Sequence, residues 1–306
     1  MTGFFTSPGF LACIVFLVGA FGIASPIFLK GDGCRQVLHF GVLFSAGVLL
    51  AGGLVHLLPD AQESFAGIAF PWASFIAGFG FLLILAIDSA VGALTDYLND
   101  DEGCAEGGGA PGTAASGAAG GLDALESAQA GLLVKHDSGS GSYGTLGEEE
   151  KTAVLIKDKF ALGCVLLVAL SVHSFLAGLG MGADQSHIMS IFFAIVAHKG
   201  LAGFSLGAAF VKAQLDLWRF ALVGFIFSIS TPCGIAVGAA VAQNADGPVL
   251  GVLKALAAGT FLYVSVAELM VKELMEHKEG GGWVVAARVC ILILGFVFMS
   301  VLAIWV

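Results

Sequence analysis

Eight long apolar stretches follow one another along the chain, and polar residues are concentrated in the segments between them. The first, from about Pro8 to Leu29, is long enough to cross a bilayer as a helix, and it lacks the basic beginning and short apolar core of a cleaved signal peptide. Seven more follow at about 36–58, 66–94, 160–182, 188–211, 217–241, 248–271 and 282–305. The pattern predicts an all-α integral membrane protein with eight transmembrane helices.

The longest polar segment, residues 97–158, separates the third stretch from the fourth and consists largely of Gly, Ala, Ser and acidic residues. This composition buries too little apolar surface to offset the entropy lost on ordering, so we expect a disordered loop. The chain then divides into three transmembrane helices in residues 1–96, the loop in residues 97–158 and five transmembrane helices in residues 159–306.

Lys and Arg are concentrated in alternate loops, and this distribution predicts the orientation of the helices because short loops rich in these residues stay in the cytosol. The loops after the first, third, fifth and seventh stretches contain Lys30, Arg35, Lys135, Lys151, Lys157, Lys159, Lys212, Arg219, Lys272, Lys278 and Arg288. The other loops, near residues 59–65, 183–187 and 242–247, contain neither Lys nor Arg. We therefore predict that both termini are extracytoplasmic and that the 97–158 loop is cytosolic.

The composition agrees with a lipid environment, since 58% of the residues are hydrophobic, only 12% are charged and the mean hydropathy is +0.94. So few charged groups do not cover a surface in water. The net charge of −10 and the absence of clustered Lys and Arg argue against a nucleic acid partner. The Cys residues show no C-x-x-C spacing, so neither a disulfide framework nor a Cys-type zinc site is expected.

Ionisable residues inside the apolar stretches are costly, and they commonly face a pathway or a partner. They are His39, His56, Asp88, His173, His198, Lys199 and Glu268. Asp60 follows His56 by four residues, which places both side chains on one face at the end of a helix. This pair is a candidate for the cation-attracting mouth of a pathway, and an ordinary helix end beside an acidic loop is an equally good interpretation.

The fourth and fifth stretches each contain one His followed by small residues, which let two helices approach closely. The small residues are Gly178, Gly180 and Gly182 after His173, and Gly200, Ala202, Gly203 and Gly207 after His198. One imidazole from each helix would then point into a single narrow gap, and imidazole nitrogen suits zinc, iron and related divalent ions. The pattern favours a metal site over two His that donate hydrogen bonds between helices.

Five of the apolar stretches contain motifs that together form the pattern of one protein family. The fourth and fifth contain His173-Ser174-x-x-x-Gly178 and His198-Lys199-x-x-x-x-Phe204-Ser205-Leu206. The second ends in His56-Leu57-Leu58-Pro59-Asp60-Ala61, the sixth contains Ser230-Thr231-Pro232-Cys233-Gly234, and the seventh contains Glu268. Outside the 97–158 loop the chain thereby resembles the ZIP (Zrt/Irt-like) divalent metal transporters. The resemblance implies eight helices, extracytoplasmic termini and a cytosolic loop between the third and fourth helices.

For the site, the resemblance implies that His173 and His198 are metal ligands and that Ser174 stands beside the first of them. Many relatives have Glu four residues after the first His, where this chain has Ala177, so a carboxylate ligand is missing. Two imidazoles alone hold a divalent ion weakly. Completion is expected from water, from Ser174, or from Met181, Asp88 or Glu268.

Lys199 is the one cation placed well inside a stretch, and two roles for it are open. In the first it reaches the membrane interface or pairs with Asp88 or Glu268, and so fixes helix packing. In the second it modulates the site, because an ammonium beside His198 repels a second divalent ion. The second role predicts one metal ion per site.

The function implied is transport of a divalent metal into the cytosol, by an elevator-like movement of helices 1, 4, 5 and 6 against helices 2, 3, 7 and 8. Zn²⁺ and Fe²⁺ are the expected substrates, Mn²⁺ is an open alternative, and no metal is expected as a cofactor. The plasma membrane is the expected location, with a vacuolar or other internal membrane as the alternative. A homodimer is left open.

Two other classes of function were compared with transport. An intramembrane enzyme is disfavoured because the chain has no H-E-x-x-H motif and no Glu adjacent to His173 or His198. A structural or receptor-like helical membrane protein stays open as the alternative. It predicts that the two His satisfy each other by hydrogen bonds and that no metal moves.

Overall fold

A computed structural model describes residues 7–29, 34–104, 148–184, 188–241, 247–276 and 282–304. Within these ranges the chain forms eight helices that are long and apolar enough to cross a membrane, with spans of 21 to 30 residues. The predicted all-α class and the eight transmembrane helices are confirmed. The orientation of the termini stays a prediction.

We number these helices α1 to α8 in chain order. They are α1 (Pro8–Ala24, followed by a 3₁₀ turn at Ser25–Leu29), α2 (Arg35–Ser64), α3 (Trp72–Cys104), α4 (Glu148–Ala183), α5 (Ile188–Lys212), α6 (Leu217–Val241), α7 (Gly247–Tyr263, Val264–Val271 and Lys272–Glu276) and α8 (Gly282–Leu302). The beginning of α1 shows how the local sequence sets a helix end. The Ser7 hydroxyl accepts from the backbone N–H of Phe10, and Pro8 occupies a position where its missing N–H costs nothing.

Helices α3 and α4 both extend into the segment for which the sequence predicts disorder. α3 continues to Cys104 and α4 begins at Glu148. A helix that leaves the membrane needs no apolar residues to continue, so composition marks the edge of the span and not the end of the helix. Residues 105–147, which make up most of the predicted disordered loop, lie outside the described residues.

Helices α2 and α7 each contain a π-helical segment, and each segment holds a polar residue that the sequence analysis singled out. The segment Gly52–Leu57 contains His56, and the segment Val264–Val271 contains Glu268. Pro59 comes shortly after the first segment and has no N–H for the regular helical bond, so the hydrogen-bond pattern of α2 is already interrupted next to it. Such segments change which side chains share a face, so regular helical periodicity does not carry across them.

Helices α1, α4, α5 and α6 pack closely through glycines. A Cβ at Gly178 of α4 would overlap the carbonyl oxygen of Thr231 in α6, and a Cβ at Gly207 of α5 would overlap the carbonyl oxygen of Ile23 in α1. Ala at either position would push the two helices apart. All four glycines predicted to form close contacts lie at such helix crossings: Gly178, Gly182, Gly203 and Gly207.

Helices α2, α3, α7 and α8 form a second group that is packed in the same way. Gly47 of α2 meets the backbone of α8 at Leu292, and Gly259 of α7 meets the backbone of α3 at Ala77. α2 also packs against α5 of the first group. Buried apolar side chains from both groups form one large cluster, which includes Phe261 of α7.

Candidate functional site

The two imidazoles singled out by the sequence come together in the centre of the helix bundle. His173 of α4 and His198 of α5 are 2% and 4% exposed, and their ring centroids are 5.7 Å apart. His173 Nε2 and His198 Nδ1 are buried and have no hydrogen-bond partner among the described residues, although the His198 ring also interacts with the backbone carbonyl of Ala194, one turn earlier in α5. Burying an imidazole nitrogen without a partner is costly. Both atoms are therefore candidate metal ligands.

The other ring nitrogen of His173 is anchored to α7. Its Nδ1 lies 3.1 Å from the carbonyl oxygen of Ala257 and 3.3 Å from Oγ1 of Thr260, whose hydroxyl donates to the same carbonyl over 2.8 Å. A carbonyl oxygen only accepts, so Nδ1 carries the proton and Nε2 keeps its lone pair. A backbone carbonyl behind the ring is a usual way to fix the tautomer and orientation of a metal-binding His.

Phe261 of α7 forms an aromatic wall beside both imidazoles. The ring is fully buried, stacks on His173 with centroids 3.4 Å apart, and meets His198 edge-on with centroids 4.9 Å apart. The two contacts restrict the rotation of both rings. They also keep one side of the pair apolar, which strengthens electrostatic interactions at the imidazole nitrogens.

Lys199, next to His198 in sequence, is held between α4 and α6. Its Nζ donates to Ser174 Oγ over 3.0 Å, to Thr231 Oγ1 over 2.9 Å and to the carbonyl oxygen of Phe227 over 3.0 Å. The ammonium also lies 3.8 Å from the centroid of the Phe227 ring, a distance typical of a cation–π contact. Neutral acceptors and an aromatic face thus satisfy a buried positive charge.

The first role predicted for Lys199 gave it the wrong partners, namely the membrane interface, Asp88 or Glu268. The side chain is 2% exposed, so it does not reach the membrane interface. Its ammonium bonds to α4 and α6, whereas Asp88 and Glu268 lie on α3 and α7. Lys199 does fix helix packing, but it does so through hydroxyl and carbonyl oxygens. Spacing along the chain did not reveal which neighbouring helix this side chain faces.

Ser174 and Met181 were considered as additional ligands, and the structure places them differently. The Ser174 hydroxyl is close to the imidazoles in sequence but accepts the hydrogen bond from Lys199. Met181 is fully buried in an apolar cluster with Leu11 and Ile235. It follows His173 by eight residues, which corresponds to about 12 Å along a helix. The structure therefore does not bring Met181 to the imidazole pair.

Asp88 and Glu268 are brought together with each other and not with the imidazoles. The hydroxyl of Tyr263 donates to Asp88 Oδ2 and lies 3.4 Å from Glu268 Oε1, and Glu268 accepts from Lys272 over 2.7 Å. No group of three His, Cys, Asp or Glu that could hold a metal ion occurs in the part of the chain that the structure describes.

The candidate mouth residues His56 and Asp60 lie together near the end of α2, with 4.0 Å between Nδ1 and Oδ1. The sequence analysis missed a third member, Lys254 of α7, whose Nζ lies 3.4 Å from Asp60 Oδ2. The lysine offsets much of the charge with which Asp60 would attract cations.

The sequence analysis also missed Ala257, Thr260 and Phe261, which hold the imidazoles in place. Ala257 acts through its backbone, and Phe261 is one of 25 Phe residues, so neither carries a signal in the sequence. Thr260 does carry one, since it is a hydroxyl inside an apolar stretch. Its partner on another helix was not readable.

A family model described as ZIP zinc transporter matches residues 8–303, which include all eight transmembrane spans. The chain belongs to the ZIP family. Zinc transporter ZIP1 of Homo sapiens is 28% identical over 89% of this chain and 80% of that protein. Probable zinc transporter 12 of Arabidopsis thaliana is 29% identical over 95% and 84%, and Fe(2+) transport protein 2 of the same plant is 27% identical over 93% and 83%.

The family membership confirms the resemblance seen in the motifs. Members of the family carry divalent metals across membranes and are not enzymes, which confirms the class predicted for this chain. Zinc and Fe²⁺ are substrates of these transporters and not cofactors. The chain is accordingly a multi-pass membrane protein of a metal transporter family.

Proposed function

We propose that this ZIP protein carries Zn²⁺ or Fe²⁺ into the cytosol and that His173 and His198 bind the ion on its way. The observation that supports this most directly is the pair of buried imidazole nitrogens without hydrogen-bond partners, in rings held by Phe261 and by α7. Imidazole nitrogen is a good ligand for both ions. Mn²⁺ stays an open alternative, because selectivity among these ions does not follow from affinity alone.

A site with two imidazoles leaves other coordination positions to water or to a hydroxyl. Four ligands are usual for zinc in proteins, so the ion would keep part of its hydration shell here. Such a site binds more weakly than one with an additional carboxylate. Weak binding suits a carrier, because the ion has to leave on the other side.

The Lys199 ammonium supports a site for a single ion. It is adjacent to His198 in the sequence and is buried, so its charge is only weakly screened from the imidazole pair. A second divalent cation beside the first would be repelled by the ion and by the ammonium. We therefore infer one ion per site.

The helix packing supports an elevator-like movement as the transport step. Glycine contacts with helix backbones join α1, α4, α5 and α6 into one group and α2, α3, α7 and α8 into another, while Gly41 of α2 meets only the side chain of Phe204 in α5 across the two groups. The imidazoles belong to the first group, while Ala257 and Phe261 belong to the second. In this proposal the contacts of His173 with α7 break when the first group slides, and the ion moves with α4 and α5.

The direction of transport and the membrane in which the protein lies are inferred from the sequence. The distribution of Lys and Arg favours entry from the extracytoplasmic side, past His56 and Asp60, and release into the cytosol. The plasma membrane is the proposed location, with a vacuolar or other internal membrane as the alternative. A homodimer stays open.

The receptor-like alternative requires the two imidazoles to satisfy each other. His173 Nε2 and His198 Nδ1 have no hydrogen-bond partner within the described ranges, and His173 Nδ1 is engaged with α7. This geometry favours binding of an external ligand over a purely structural hydrogen bond between the rings.

Uptake of radioactive zinc and iron by cells that express the chain tests the proposal. His173→Ala and His198→Ala should each reduce uptake to the level of cells without the protein, at similar surface expression. Met181→Leu is the matched control, because Met181 lies on the same helix as His173 and is also buried. It should transport at nearly the wild-type rate, since the two side chains have similar volumes. Wild-type uptake by both His variants would refute the site, and absence of uptake by the wild-type chain would refute transport of these ions.

A further inference from the structure

The Lys199 side chain meets all four helices of the first group, α1, α4, α5 and α6. It starts on α5, and its ammonium donates to Ser174 of α4 and to Thr231 and Phe227 of α6. α1 packs against the stem of the side chain, since a Cβ added at Gly19 would come within 3.0 Å of Lys199 Cε. The three N–H groups of the ammonium have three oxygens at 2.9 to 3.0 Å, which satisfies every donor.

The hydrogen bond between Lys199 and Ser174 links the positions next to both candidate ligands. Ser174 follows His173 in α4, and Lys199 follows His198 in α5. Neighbouring residues of a helix point about 100° apart, which lets the imidazoles face α7 while Ser174 and Lys199 turn toward each other and toward α6. A shift of α4 along α5 by one residue, about 1.5 Å, would therefore stretch this bond and change the spacing of the imidazoles at the same time.

Helix α6 holds the ammonium from a single turn. Phe227 and Thr231 are four residues apart, and their oxygens lie 3.0 and 2.9 Å from Lys199 Nζ. Both residues are fully buried, so bulk water does not screen these bonds. The carbonyl oxygen of Thr231 also packs against Gly178 of α4, where a Cβ would come within 2.3 Å of it. Thr231 thus ties α6 to α4 through its backbone and to α5 through its hydroxyl.

The supports of the imidazoles on α7 differ from this arrangement, because α7 belongs to the second helix group. In the proposed movement, His173 loses its contacts with Ala257 and Phe261 as the first group slides. The bonds from Lys199 to Ser174, Thr231 and Phe227 lie within the first group and move with it. They therefore preserve the spacing of the two imidazoles when α7 no longer supports them.

We propose that Lys199 is a positioning residue of the metal site, whose ammonium fixes α4 against α5 so that His173 and His198 bind the same ion throughout transport. The inference rests on the proposed function and extends it to the way the site survives the movement. It gives the lysine a role that needs particular partners, whereas repulsion of a second cation needs none. A side chain that acted by charge alone would tolerate the loss of either hydroxyl.

Cu²⁺ serves as the probe, because imidazole is a good ligand for it and its electron paramagnetic resonance spectrum counts the coordinated imidazole nitrogens. In the purified full chain, with the chain carrying both His173→Ala and His198→Ala as background, the wild type should show two. Ser174→Ala and Thr231→Val each remove one acceptor and keep the ammonium, and each should show one. In both variants the Zn²⁺ concentration for half-saturation should rise about tenfold, since groups that orient metal ligands commonly contribute ten- to a hundredfold in affinity.

Two controls separate hydrogen bonding from packing. Thr231→Ser keeps the hydroxyl and loses only a methyl group, so it should keep both imidazoles on Cu²⁺ and bind Zn²⁺ within about twofold of wild type. Ser171→Ala is the control on α4, about one turn before Ser174. The hydroxyl oxygen of Ser171 is buried and has no hydrogen-bond partner among the described residues, so its loss should change neither quantity.

Lys199→Met separates the positioning role from the effect of charge. It removes the ammonium and keeps a long, unbranched side chain. Loss of a repelling charge alone would strengthen Zn²⁺ binding, whereas loss of the positioning bonds should weaken it about tenfold and leave one imidazole on Cu²⁺. If this chain does not fold, the Ser174 and Thr231 variants decide, because they leave the ammonium two of its three acceptors.

Two coordinated imidazoles and wild-type Zn²⁺ affinity in Ser174→Ala and Thr231→Val would overturn the inference, and so would tighter binding in Lys199→Met. An equal loss of affinity in Thr231→Val and Thr231→Ser would overturn it as well, since the methyl group and not the hydrogen bond would then matter. None of these results would touch the proposed function, which is judged by uptake in the wild-type chain and in the His variants. A wild-type spectrum without imidazole nitrogen would refute the metal site itself, and this inference with it.

Discussion

The imidazole layer around His173 and His198 and a chamber lined by Glu268 and Glu273 are built on the same helices, yet the imidazoles and the carboxylates are satisfied in opposite ways. In the imidazole layer His173 Nε2 and His198 Nδ1 have no partner, and the nearby Lys199 is satisfied by neutral oxygens. In the chamber each carboxylate already has a lysine. Unsatisfied imidazole nitrogens are free to bind a metal, whereas a metal would have to displace a lysine from each carboxylate. The contrast favours the imidazole layer as the place where an ion binds.

The largest expected effect concerns the side of the membrane that each layer faces. An epitope after Val306 should be labelled in intact cells, whereas one near Ser140 should be labelled only after permeabilisation, because the distribution of Lys and Arg predicts that the 97–158 loop is cytosolic. Immunofluorescence with and without detergent measures both. The reverse result would place the chamber on the extracytoplasmic side, and equal labelling of the two tags would contradict an eight-span topology.

The anchoring of the imidazole layer is probed by Thr260→Val. Valine keeps the volume but loses the hydroxyl that lies beside His173 Nδ1 and bonds to Ala257. A hydrogen-bond partner behind a metal-binding His commonly contributes ten- to a hundred-fold in affinity, and Nδ1 keeps its contact with Ala257, so the zinc KM should rise about tenfold. Uptake kinetics provide the measurement.

Ser265→Ala is the control for this change. Ser265 lies on the same helix and is equally buried, and within the described residues its hydroxyl bonds to Leu262 of its own turn. Its KM should stay near that of wild type. A similar rise in both variants would show that hydroxyl loss acts through the packing of α7 and not through His173.

Substitutions at the candidate mouth, formed by His56, Asp60 and Lys254, should change zinc uptake less, because the charges there are partly exposed. Lys254→Gln frees the charge of Asp60 and should raise zinc uptake about threefold at limiting metal and low salt, while Asp60→Asn should lower it by a similar factor. Both effects should shrink as the salt concentration rises. Effects that do not depend on salt would show that the two residues act through packing and not through attraction of cations.

The smallest expected change is a doubling of the metal content in Lys199→Glu. A carboxylate beside His198 replaces the repelling ammonium and supplies an acidic ligand like the one absent at Ala177. Purified protein, analysed for bound zinc with His173→Ala as background, should rise from about one ion per imidazole layer to about two, and release to the cytosol should slow. Two ions in the wild-type layer would contradict the single-ion site.

The position of the helices was predictable because lipid demands long apolar segments, and the sequence shows these directly. The π-helical segments around His56 and Glu268 were not, since they depend on how α2 and α7 pack. The pairing of His173 with His198 was also predictable, from one His in each of two glycine-rich helices. Its supports were not, because the Ala257 carbonyl and the Phe261 ring look like any others in the sequence.

The sequence by itself determined that this protein lies in a lipid bilayer, that it has eight transmembrane helices, which family it belongs to, and which two imidazoles form the candidate site. These follow from composition and from motifs within single helices. Only the tertiary structure decided that Lys199 bonds to Ser174 and Thr231, that Lys254 pairs with Asp60, and that Lys212 of α5 meets Glu273 of α7. A polar side chain in a membrane takes the partner that the neighbouring helix presents to it. That choice depends on helix rotation and crossing, which spacing within one helix does not encode.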